Sequence, residues 1–176
     1  MLRTLIHTTG ALLLVSLAAP VFAATERAAL PGSTLENGAE IFQISCPDNP
    51  QQTTLDMNAC YGEMKAQVEA VKGHYLTAIR KRLAENGDEP AEQSQEQLAA
   101  FEAENNAWDA LEEKASAATA TYWQGGTIRG VMGADRAIQL IELRIHNQWD
   151  NWLRYQDSTP ALLPEPKFKQ AGQARG

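Results

Sequence analysis

The stretch TTLDMNACYGEMKAQVEAVKGHYLTAIRKRL, residues 53–83, decides the fold class. Within it Met57, Cys60, Met64, Val68, Val71, Tyr75, Ile79 and Leu83 recur in steps of three and four. That spacing lines one face of an α-helix, whereas a half-buried strand would alternate apolar and polar residues. Thr53 or Thr54 supplies an N-cap, and Asp56 sits where a negative charge favours the positive end of the helix. Gly62 and Gly73 each cost roughly 1 kcal/mol relative to alanine, so a bend is allowed. Asn86, Gly87 and Pro90 end the helix.

Working outward, Ser94 is expected to cap a second helix with the stripe Leu98, Phe101, Asn105, Trp108, Leu111, Ala115, Ala118 and Tyr122. Gln124-Gly125-Gly126 breaks it, and a third helix is predicted from about Ala134 through Ile138, Ile141, Ile145, Trp149 and Trp152. No strand pattern or internal repeat competes, so the expected class is all-α. Three main helices form a small bundle: the first two make a long antiparallel hairpin, and the third packs along its groove. Residues 42–155 form this helical domain. Residues 24–41, which carry Pro31, Gly32, Asn37 and Gly38, read as a mobile N-terminal arm. Residues 156–176 read as a disordered, proline-containing tail.

Residues 1–23 have the parts of a secretory signal: Arg3, an apolar run from Ala11 to Ala19, and small residues up to a cleavage site near Ala23. The apolar run is shorter than the about 20 residues needed to span a bilayer. The chain beyond Ala23 is long enough for one domain, expected in the periplasm or secreted. The net charge of −7 argues against non-specific nucleic-acid binding and against attraction to anionic lipid.

In an exported chain Cys46 and Cys60 are most economically one disulfide, pinning the leading strap to the first turns of the helix. Pairing between two molecules is the alternative that spacing leaves open, as is the oligomeric state. A redox couple or metal site would more usually show Cys-x-x-Cys or neighbouring histidines. His146 follows Glu142 at one-turn spacing, but a bundle di-metal site needs such a unit on two helices plus further carboxylates. No metal and no cofactor are therefore expected. No motif marks a catalytic nucleophile beside a base, so no catalytic residue is assigned and the protein is not expected to be an enzyme.

The charge pattern points to binding. Glu85, Asp88, Glu89, Glu92, Glu96, Glu102, Glu104, Asp109, Glu112 and Glu113 succeed one another without an intervening Lys or Arg. They are expected at the tip of the hairpin and along the outer face of its second helix, as a docking surface for a cationic protein. Arg80, Lys81 and Arg82 compensate part of that field. Trp108 and Trp149 lie on apolar stripes and are read as core. Trp123 and Trp152 lie near helix ends, where an exposed ring can anchor a partner.

The run from Thr53 through Thr54, Met57 and Asn58 to Cys60, with Cys46 upstream, resembles the N-terminal domain of LprI-type lysozyme inhibitors. Trp108, the Gly-Gly-Thr-Ile segment at 125–128 and Arg144 fit the same family. Members commonly carry a second cysteine pair; the corresponding positions fall near Ser116 and Arg136, so this is a form without that bridge. Where members often show an arginine after the tryptophan, this chain has Glu112. The resemblance implies a domain that captures a basic protein such as lysozyme and occludes its cleft. The alternative from another class is a structural or accessory envelope protein with a different partner.

Overall fold

In a computed structural model, residues 30–85 and 90–170 are described. Their elements are β1 (Ser33–Glu36), β2 (Ala39–Ile44), α1 (Thr54–Ala84), α2 (Ala91–Tyr122), α3 (Arg129–Trp152) and β3 (Glu165–Gln170). The leader, its cleavage site, Asn86-Gly87, Asp88 and Glu89 lie outside the described residues.

The first helix forms as expected. Thr53 is its N-cap: the Thr53 hydroxyl accepts from the Asp56 amide (3.1 Å) while Asp56 Oδ2 accepts from the Thr53 amide (3.0 Å). This reciprocal pair satisfies two donors that the first turn would otherwise leave free. The stripe from Cys60 through Met64, Val68, Val71, Tyr75 and Ile79 to Leu83 is buried. The other two helices start earlier than Ser94 and Ala134 suggested. Pro90 precedes α2, leaving Ser94 inside its first turns, and α3 begins at Arg129.

α1 and α2 run antiparallel, with Arg80 opposite Glu102 and Lys65 and Lys72 opposite Glu112. They touch each other far less than each touches α3. α3 is thus the central element. It buries Val131, Ala137, Ile138, Leu140, Ile141, Ile145 and Trp149 on more than one face. α2 buries only Phe101 and Asn105. The expected stripe of α2 fails beyond Asn105: Leu111 and Tyr122 are exposed, and Ala115 and Ala118 have little surface to bury. Large aliphatic side chains, rather than period alone, decide which helix takes the middle.

The all-α expectation is corrected by a three-stranded sheet of order β1-β2-β3. β1 and β2 form an antiparallel hairpin that takes up the end of the segment read as an arm (24–41) and the start of the segment read as helical (42–155), with Glu36 opposite Ala39. The two turn residues, Asn37 (φ 52°) and Gly38 (φ 81°), both take the left-handed backbone that a type I′ turn requires. β3, drawn from the segment read as a disordered tail, pairs parallel to β2 with Phe168 opposite Phe42. Ring stacking at 5.8 Å joins these two, and Phe42 also meets Tyr75 of α1 edge-on.

The sheet is fastened to α1 and α3 and meets α2 nowhere among the described residues. Cys46 and Cys60 form the disulfide within one chain, Cα atoms 5.4 Å apart. Gln67 bridges the backbone of Ser45 in both directions, at 3.0 and 2.6 Å. The Tyr75 hydroxyl donates to the Pro164 carbonyl (2.8 Å), and Trp149 Nε1 donates to the Leu163 carbonyl (2.9 Å). Burial holds the Tyr75 phenol well above its usual pKa.

Candidate protein-docking surface

Ten acids in a row along the sequence are not ten free charges in the fold. Glu102 accepts from Arg80 through both oxygens, at 2.6 and 2.9 Å. The Arg80 hydrogen bond draws the Glu102 carboxyl below the usual carboxylate range. Asp109 meets Arg144 at 2.5 Å. Glu112 receives Lys65 at 3.0 Å and Lys72 at 3.8 Å. Glu104 accepts the indole N–H of Trp108 (3.2 Å) and of Trp152 (2.9 Å), which ties the first half of α2 to the end of α3. Glu85 faces Lys81 at 3.9 Å with both side chains exposed, a pair that water largely screens. Among the described residues, Glu92, Glu96 and Glu113 are exposed and have no ion-pair partner.

The residues that carried the family resemblance build the scaffold. Thr53 caps α1, and the Thr54 carbonyl accepts from Asn58 Nδ2 at 2.8 Å. Met57 is half-buried within the first turn. A Cβ on Gly130 would meet the side-chain oxygen of the exposed Asn58, which places the start of α3 beside the first turns of α1. At Gly133 a Cβ would lie 3.2 Å from Ala120 Cβ and 3.3 Å from the Ser116 carbonyl, which brings α2 close to α3. Ser116, at one expected position of the absent second bridge, therefore lies against α3, whereas Arg136 is exposed.

Arg144 is only 2% exposed. Its guanidinium donates to Asp109 Oδ1 (2.5 Å), to Asn105 Oδ1 (2.8 Å) and to the Asn105 carbonyl (3.2 Å). Gln148 donates to the same Asn105 oxygen at 2.8 Å. A charge so far from water persists only when its donors are met, and this cluster meets them from α2 and α3. The sequence carried a signal for it: Asn105 is a polar residue on an apolar stripe, and Arg144 stands among isoleucines.

Of the tryptophans, Trp149 is buried, Trp108 and Trp152 are half-buried, and Trp152 packs edge-on against Phe101 at 5.4 Å. Trp123 is 40% exposed beside Tyr122, which is 83% exposed, with ring centroids 5.8 Å apart. The turn beyond them closes on itself: Gln124 N–H donates to the Thr121 carbonyl (3.1 Å) and Gly126 N–H to the Trp123 carbonyl (2.9 Å). His146 faces Glu165 of β3 at 3.3 Å rather than joining a ligand set with Glu142, whose carboxylate accepts from Gln170 at 2.9 Å. No group of three His, Cys, Asp or Glu among the described residues could hold a metal. No described helix is long and apolar enough to cross a membrane.

What this arrangement offers is surface. α2 exposes most of its length, acidic near its start and aromatic at its end, on a frame of α1, α3 and the sheet. No curated protein and no solved structure matches the chain. The family described as lysozyme inhibitor LprI matches residues 46–147, from the first half-cystine to just beyond Arg144. That match covers more than half of the 176 residues and includes the cap, the disulfide, Asn58, and Arg144 with its partners Asn105 and Asp109; the protein belongs to the LprI lysozyme-inhibitor family.

Proposed function

We propose that this is an exported binding domain that inhibits a lysozyme by covering its cleft, without chemistry of its own. The observation that carries this reading is the family match over residues 46–147. The exposure of α2 supports it, since a helix that buries two residues of its thirty-two is kept for some purpose other than the core. Export is supported by the leader-like residues 1–23 and by the Cys46–Cys60 disulfide, which suits an oxidising compartment.

The docking surface in this reading is the acidic part of α2, reduced to its uncompensated members. Glu92, Glu96 and Glu113 contribute most, with Asp88 and Glu89 next to them in sequence. Glu85, Glu102, Asp109 and Glu112 contribute less, because a cation of the same molecule already sits beside each. That internal pairing favours a second reading, an accessory envelope protein with a different and less basic partner.

The test is a cell-wall lysis assay with purified protein and a basic lysozyme. Stoichiometric protein should slow lysis, and more strongly at low than at high ionic strength, because exposed charges are screened over about 8 Å at physiological salt. An unchanged lysis rate at low ionic strength, together with capture of one non-lysozyme partner from periplasmic extract, selects the accessory reading.

A further inference from the structure

The acidic half of α2 can attract a basic protein, but nothing about it suits a glycosidase cleft, which is lined for sugar rings and holds two carboxylates. The opposite end of the bundle does. There α2 ends in Tyr122, the turn 123–128 comes next, and α3 opens on Arg129. We infer that this corner, led by Tyr122, Trp123 and Arg129, is the element that enters the lysozyme cleft, an inference that rests on the inhibitor reading above.

Three observations converge on it. The first is the aromatic pair, which lies outside the core cluster and leaves Tyr122 83% and Trp123 40% exposed. Large exposed rings set edge-on to each other are what binding surfaces use as anchors, and flat aromatic faces fit subsites built to stack sugars.

The second is charge. On a chain of net charge −7, Arg129 and Arg136 are exposed in the first turns of α3, and neither has an ion-pair partner among the described residues. Arg129 is also the first residue of α3, where a cation opposes the helix dipole. A guanidinium kept unpaired at a position that disfavours it is suited to meeting a partner's carboxylates, with two parallel hydrogen bonds available to each. The two ends of the molecule are then complementary to the two parts of such an enzyme: acids toward its basic exterior, cations toward its cleft.

The third is rigidity. The turn is held by hydrogen bonds from Gln124 to Thr121, from Gly126 to Trp123 and, at 3.5 Å, from Arg129 N–H to the Gly126 carbonyl. Gly133 lets α2 approach α3 closely just behind it. A corner already held in one shape loses little entropy on insertion.

The experiment compares the parent protein with the double variant Tyr122→Ser/Trp123→Ser and with Arg129→Glu, measuring lysozyme affinity, inhibition of lysis and thermal melting. All three side chains are exposed, so the melting curves should superimpose. Each variant should bind at least tenfold more weakly, and a chito-oligosaccharide that fills the cleft should displace the parent protein. If the parent inhibits while both variants inhibit equally well, or the oligosaccharide fails to compete, the corner is not the inserting element although the inhibitor reading stands. If the parent itself neither binds nor inhibits at low salt, the inhibitor reading falls and this inference with it. Should the double variant melt early, Arg129→Glu alone decides, with Arg129→Lys expected to restore most of the affinity.

Discussion

Asn105 holds together two helices through one side chain. Its oxygen accepts from both Arg144 and Gln148, and the charge it helps satisfy is almost wholly buried. Replacing it with alanine leaves buried donors unmet, and Asn105→Ala should cost about 2 kcal/mol in denaturant unfolding. A loss within experimental error would mean that the cluster does not join α2 to α3 energetically. Asp135 makes the opposite case. Burial holds its carboxyl above the usual range, against the downward pull of a 2.6 Å hydrogen bond from Gln139. The folded state therefore binds its proton more tightly than the unfolded chain, so stability falls as pH rises through that window and the penalty is complete above it. Asp135→Asn should raise the melting temperature at pH 7, and the gain should vanish below about pH 3, where both states are protonated. A gain independent of pH would locate the effect elsewhere. Both residues were visible in the sequence, but only contacts across helices distinguish a satisfied buried polar group from a surface one.

Among the elements, the helices were legible because each signals itself within its own span. The Thr53-x-x-Asp56 cap and the three-and-four spacing of α1 need no distant partner. The β1–β2 hairpin is only half announced: Asn37-Gly38 is a strong local turn signal, but of its flanks only β2 is apolar, β1 being Ser-Thr-Leu-Glu and fully exposed. Its strands of four and six residues were too short to show a period beside the prolines and glycines around them. β3 is a different matter, since a parallel strand has no turn to announce it and Phe168 meets Phe42 only once three helices lie between them. Phe168→Ala should lower stability by about 2 kcal/mol, less than the roughly 3–5 kcal/mol of a fully buried ring. Unchanged unfolding would show that the tail leaves the sheet in solution. All three strands lie outside the stretch matched by the LprI family, so the resemblance carried no information about them.

At the scale of the whole molecule, the sequence by itself determined the three helices and the family, because each rests on spacing within a short span, whereas the structure decided that Thr53 is the cap and that Cys46 and Cys60 pair within one chain. Tertiary structure decided which helix is central. α3 wins that place because it carries isoleucine and leucine on several faces, while α2 beyond Asn105 offers alanine and polar groups. It also decided which charges are free. Sequence counts acids, whereas the fold sets Arg80 beside Glu102, Arg144 beside Asp109, and Lys65 and Lys72 beside Glu112. Electrostatic attraction falls off over distances that only the folded chain defines, so a run of like charge along the backbone says little about the field a partner meets.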